Sequence, residues 1–171
     1  EMMFWRGVCQ MLGEDIASAE RSLAEFIEAY PQSAKVQEAI LLVAACGTLR
    51  AAYVETHAYL EQRKDELAPF NRGRATVLQL NALSQAGEWD VALELVMDEF
   101  PRIDEMIQVV AFQTLALQIG AHFLDTEQYR KAIGCLQRVW PRARLLRHQR
   151  QRLAALRARL EAAEQRTAQP F

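Results

Sequence analysis

Cysteine is scarce in this chain and poorly placed for pairing: Cys9, Cys46 and Cys135 are an odd number, widely spaced, inside apolar segments. Free buried thiols have this habit, so no disulfide is expected. Seven glycines and five prolines in 171 residues are too few turn formers for a many-stranded sandwich or barrel, and aromatics make up only 8%. Long hydrophobic runs are missing as well. The longest unbroken apolar stretch, Ala39 to Cys46, is far shorter than the roughly 20 residues a bilayer-spanning helix requires, so no transmembrane segment is expected. The opening Glu-Met-Met-Phe-Trp-Arg lacks a charged n-region, a long apolar h-region and a small-residue cleavage site. It reads as the start of an excised fragment or mature form, and it leaves the compartment open between the cytoplasm and a bacterial periplasm. What is present is 51% apolar and 25% charged residues, a globular balance that excludes disorder and makes helices the default.

Charge is balanced in total and unbalanced along the chain. Residues 1–136 carry 11 Lys/Arg against 20 Asp/Glu, whereas 137–171 carry 9 Arg against 2 Glu, so an acidic body precedes a basic tail. Such a tail either binds anions or folds onto the body.

The body repeats itself. Ile16-x-x-Ala19-x-x-x-Leu23, Trp89-x-x-Ala92-x-x-x-Val96 and Tyr129-x-x-Ala132-x-x-x-Leu136 share one pattern, and Leu49-x-x-Ala52-x-x-x-Thr56 is a weaker copy. The large residues fall at 16, 49, 89 and 129, with spacings of 33, 40 and 40. Tyr30-Pro31, Phe100-Pro101 and Trp140-Pro141 close three of the copies, since a residue before proline is driven out of the α region. Ahead of each copy lies another helical stretch: Met3 to Leu12, Val36 to Ala45, Val77 to Ser84 and Ile107 to Leu124. The unit is therefore a helical hairpin, with Gly13, Gly47 and Gly87 at the turns. Small Ala19, Ala52, Ala92 and Ala132 allow close helix approach, and Trp89 and Tyr129 are expected to be buried against the preceding helix. Residues 61–73, broken by Pro69, Asn71 and Gly73, read as an overlong helix end and a connector.

These residues resemble the tetratricopeptide repeat family over residues 2–141, and phrases such as Gln-Tyr-Arg-Lys-Ala-Ile look like its envelope-associated bacterial members. Gly7 and Gly120, twelve residues before Ala19 and Ala132, match the family's small position, while Ile40 and Leu80 depart from it. The implied fold is all-α: a right-handed solenoid of about four antiparallel hairpins over 1–141, with 142–171 as a basic amphipathic capping or coiled-coil helix. An array of the HEAT kind has comparable spacing. The resemblance also implies a concave groove, lined by first helices, that holds another protein or peptide. Transferring its register places Gln37, Glu38, Arg74, Asn81, Gln85, Thr114 and Gln118 in that groove, where side-chain amides can bond a peptide backbone through donor and acceptor alike. An ordinary polar helix face is the plainer reading of the same residues.

Signs of catalysis are absent from the sequence. There is no dinucleotide loop, phosphate-cradling Gly-Lys-Ser/Thr or nucleophile elbow. His57, His122 and His148 are isolated, with no Cys-x-x-Cys, so neither a metal site nor a cofactor is expected. His122 reads as a core or groove histidine. No catalytic residue is assigned, and the chain is expected not to be an enzyme. In the tail, Leu146, Leu153, Leu156, Leu160 and Ala163 form a heptad-like stripe among arginines. The helix either caps the array or pairs as a coiled coil with a second copy or with a continuation of the chain. In the alternative functional reading, Arg147, Arg150 and Arg157 form a basic surface for anions or nucleic acid. Nucleic acid is disfavoured because no aromatic residues interleave the arginines.

Overall fold

The computed structural model describes residues 1–99, 106–139 and 147–168. Among them the chain is all-helical. It runs α1 (Met2–Leu12), α2 (Ile16–Ala29), α3 (Val36–Leu49), α4 (Tyr53–Arg63), a 3-10 turn at Lys64–Glu66, α5 (Pro69–Ala86), α6 (Trp89–Glu99), α7 (Met106–Asp125), α8 (Tyr129–Val139) and α9 (Arg147–Ala168). Two compact units are present, Glu1–Gly87 and Glu88–Phe171.

In the first unit α1 packs on α2, α2 on α3, and α3 on both α4 and α5, which also pack on each other. This position explains the apolar run from Ala39. As α3 has neighbours on several sides, Ala39, Ile40, Leu41, Val43, Ala44 and Cys46 are all buried. Phe4, Leu23, Phe26, Leu60 and Leu67 complete that core. In the second unit α6 packs on α7 and α8, while α7 packs on α8 and α9. Its core includes Val96, Phe112, Ile119, Phe123, Cys135, Leu136, Leu153 and Leu156.

One turn recurs. Glu14, Ala51, Gly87 and Glu127 have φ of 64°, 60°, 78° and 60°, the left-handed conformation, and at Glu14, Ala51 and Glu127 it reverses the chain between helices that pack on each other. At three of these turns the following residue donates its N–H five residues back, Asp15 to Gln10 (3.0 Å), Ala52 to Gly47 (2.9 Å) and Gln128 to Phe123 (2.8 Å). Only one of the four positions is glycine. Gly13 ends α1 at φ −86°, and Glu14 after it adopts the strained conformation.

The turns correct the register of the second copy. Five residues after each left-handed residue stand Ala19, Thr56, Ala92 and Ala132, all buried, and four further on stand Leu23, Leu60, Val96 and Leu136, also buried. The second copy is therefore Tyr53-x-x-Thr56-x-x-x-Leu60, with Tyr53 opening α4 as Ile16, Trp89 and Tyr129 open α2, α6 and α8. Ala52 is the residue before the helix, and Leu49 closes α3, 62% exposed. The opening residues are then spaced by 37, 36 and 40. In this register Ala44, not Ile40, lies twelve residues before the small position.

Gly47 is likewise not a turn residue. It lies buried within α3, and a Cβ there would collide with Oγ1 of Thr56, whose hydroxyl donates to Ala52 O at 2.7 Å. A Cβ on Gly7 or Gly120 would come within 2.7 Å of Leu23 or 2.9 Å of Leu136, so all three glycines make room for a facing helix.

Other boundaries also move. Pro69, Asn71 and Gly73 all lie inside α5, with Pro69 at its first position, where the missing N–H costs nothing. Tyr30 follows the last residue of α2, whereas Phe100-Pro101 and Trp140-Pro141 lie outside the described residues, as does Leu146. Trp89 and Tyr129 are half-buried, not buried; the Trp89 ring stacks on His122 of α7 at 4.1 Å and 12°. Cys9 is exposed, against expectation, because it lies on the outer side of α1, while Cys46 and Cys135 are buried. Burial pushes the Cys135 thiol up to about 12 and raises that of Cys46.

Two outcomes are expected. A thiol reagent should modify Cys9 alone in native buffer and reach Cys46 and Cys135 only on unfolding; native reaction of either buried thiol would contradict this packing. Ala51→Gly should raise stability by about 0.5–1 kcal/mol in urea titration, and Gly87→Ala should lower it by about 1 kcal/mol, since only glycine reaches this φ without strain.

Candidate functional site

The first-unit residues assigned to a groove lie on α3 and α5, which pack together. The structure divides them into two groups. In the first, Gln37 Oε1 accepts from Ala68 N (2.9 Å) and from Asn71 Nδ2 (2.8 Å), satisfying donors at the start of α5. Beside it Glu38 and Arg74 form a fork, Nη1 to Oε2 at 2.7 Å and Nη2 to Oε1 at 3.2 Å. Arg74 Nη1 also lies 3.4 Å from Asn71 Oδ1. These four side chains tie α5 to α3. The hydrogen bond from Arg74 holds the Glu38 carboxyl below the usual carboxylate range, and Glu38 in turn raises Arg74.

The second group lies further along α5. Asn81 is half-buried and its side chain makes no hydrogen bond among the described residues. One turn on, Ser84 Oγ is buried without a partner, and Gln85 is exposed. Ser84 stands on the same face of α5 but only its burial marks it out, because a serine on a polar helix face carries no signal of its own.

In the second unit, Thr114 Oγ1 donates to Val110 O (2.9 Å) and accepts from Gln149 Nε2 (2.8 Å), which also donates to Val110 O (2.9 Å). Gln149 is only 1% exposed, so α9 covers the Thr114 position. The sequence signal for Gln149 is a polar residue at a stripe position between Leu146 and Leu153, where a buried amide fixes register. Gln118, by contrast, is exposed.

On α9, Leu153, Leu156 and Ala163 are buried and α9 packs on α7, so the stripe that could pair two copies is already covered. Arg159 reaches Asp125 at the end of α7. Arg147, Arg150 and Arg157 are exposed, with Arg157 Nε 3.4 Å from Glu161. Around His122, Lys131 bonds Asp90 at 2.6 Å and lies 5.2 Å over the Phe123 ring.

Among the described residues no three His, Cys, Asp or Glu side chains converge as metal ligands, and no helix is long and apolar enough to cross a membrane. No family model, curated protein or solved structure matches the chain.

The Glu38–Arg74 fork has a pH signature. Because the folded pKa of Glu38 is depressed, its contribution is present above the unfolded carboxylate range and is lost as pH falls through the lower folded value. Both groups are more than a third exposed, 38% and 37%, so solvent screening keeps the effect small. Glu38→Gln should cost below about 1 kcal/mol at neutral pH. The wild-type and variant urea midpoints should converge as pH falls below the ordinary carboxylate range; a constant gap would mean that the fork is not the cause.

Proposed function

We propose that the chain is a non-catalytic interaction scaffold, a right-handed solenoid of tetratricopeptide-like hairpins that binds a peptide or protein segment along a face built by its first helices. The observation that carries this reading is on α5: an unbonded Asn81 amide, a buried unpartnered Ser84 hydroxyl and an exposed Gln85 occupy successive positions of one face. Leaving a buried hydroxyl unpaired costs about 1–3 kcal/mol, a cost relieved when the serine side chain rotates outward to meet a ligand carbonyl or N–H. Amides and a hydroxyl in a row suit the alternating donors and acceptors of an extended backbone. The recurring turn and the buried small residue five positions later support the hairpin-repeat part of the reading.

Arg74 takes a different part from that of an unpaired anchor. A partner carboxylate would have to compete with Glu38 for it, so the binding contacts fall to Asn81, Ser84 and Gln85, with Gln118 as a separate exposed position in the second unit.

The test begins with a pull-down by the intact chain and peptide mapping of what is retained. Asn81→Ala should leave helicity unchanged and weaken the mapped peptide by about 1–3 kcal/mol in calorimetry. The double variant Arg147→Ala/Arg150→Ala should bind it as the wild type does at both low and high salt. A silent Asn81→Ala beside a crippled, salt-sensitive arginine variant would transfer the binding role to α9.

A further inference from the structure

We propose that α1 of one molecule docks on the outer face of α9 of a second copy, head to tail; this contact is independent of the peptide-binding reading. On α1, Met2, Trp5, Cys9 and Leu12 recur at steps of three, four and three, and all are exposed: Met2 by 90%, Trp5 by 53% and Leu12 by 80%. They form one stripe on the side opposite Phe4 and Gly7, which are buried. A stripe of this spacing is what one helix presents to another. Exposed Glu14 and Asp15 follow it directly.

The outer face of α9 has the complementary character. Opposite the buried Gln149, Leu153 and Leu156, exposed Arg147, Gln151, Ala154 and Ala158 follow one another along the helix. Helical geometry places Arg150 and Arg157 along one edge of this track and Arg152 and Arg159 along the other. Small alanines let the bulky Trp5 and Leu12 approach closely, and the guanidiniums of Arg150 and Arg152 suit the carboxylates beyond Leu12. Stripe and track also match in length, about 15 Å from Met2 to Leu12 and about 16 Å from Arg147 to Ala158 at 1.5 Å per residue.

Charge selects the pairing. Arg6 is the single charged residue of α1 itself, and Glu1, Glu14 and Asp15 flank the helix, so residues 1–15 carry a net −2, whereas α9 holds six arginines and two glutamates, a net +4. Pairing α1 with α1, or α9 with α9, would set like charges together, whereas α1 on α9 sets opposite ones together. The contact is heterologous, joining two different surfaces, so a molecule that has lost one of them can still offer the other.

Sedimentation velocity on the intact chain tests this. Self-association is expected as concentration rises at ~50 mM salt, with association about tenfold weaker at ~500 mM. Leu12→Asp and Ala158→Asp alter exposed positions on opposite partners; each alone should remain monomeric with unchanged helicity. Mixed, they should form a 1:1 dimer and grow no further, because one intact stripe meets one intact track. Should either Asp variant lose helicity, Leu12→Gln and Ala158→Gln carry the same mixing test. A wild type that stays monomeric, a closed dimer that survives Ala158→Asp, or oligomers indifferent to both variants would each overturn the proposal.

Discussion

The tight reversal between consecutive helices is the constraint on which the rest of this structure depends. A left-handed residue turns the chain back after α1, α3 and α7, and five residues later the returning helix passes the one before it with a buried small side chain, at Ala19, Thr56 and Ala132. A short turn leaves no freedom to splay the helices, so bulk at that level must be matched by space opposite. Where alanine gives way to threonine, Gly47 provides that space, and Gly7 and Gly120 do the same for Leu23 and Leu136. Three of the four turns use a non-glycine residue, so local strain is accepted because the packing on either side holds the backbone there.

Polar groups inside this packing fall into two kinds. Gln37, Glu38, Asn71 and Arg74 are consumed in holding α5 on α3, and Gln149 with Thr114 holds α9 on α7. A buried amide needs specific partners, so such bonds fix the depth and register of a helix more narrowly than apolar contact does. Asn81 and Ser84 are not consumed in this way, which is why the proposed binding face centres on them. Aromatic residues show the same division. Phe26 and Phe123 are core, while Trp89 packs one face on His122 and remains partly open.

Much of the helical pattern was legible in the chain itself. Apolar spacing placed the four first helices, and the repeated motif placed α2, α6 and α8, because helical periodicity is a local property of side-chain order. The second copy was misread by one helical turn: Leu49-Ala52-Thr56 and Tyr53-Thr56-Leu60 both satisfy a four-residue rhythm. Only the left-handed Ala51 chooses between them, and an alanine carries no turn signal. Pro69, Asn71 and Gly73 read as breakers for a similar reason, since a first-turn proline and an interior glycine look alike in sequence whether they end a helix or begin one.

The sequence by itself determined that the chain is helical, that one motif recurs along it, and that its acidic body ends in a basic amphipathic segment. These follow from composition, periodicity and charge order, which need no knowledge of neighbours. The tertiary structure alone decided that Glu38 is Arg74's partner, that Gln149 covers Thr114, and that Cys9 and Trp5 face outward while Cys46 and Cys135 do not. Each of these depends on which helix lies opposite a given face, and a residue's own helix does not encode what will be packed against it.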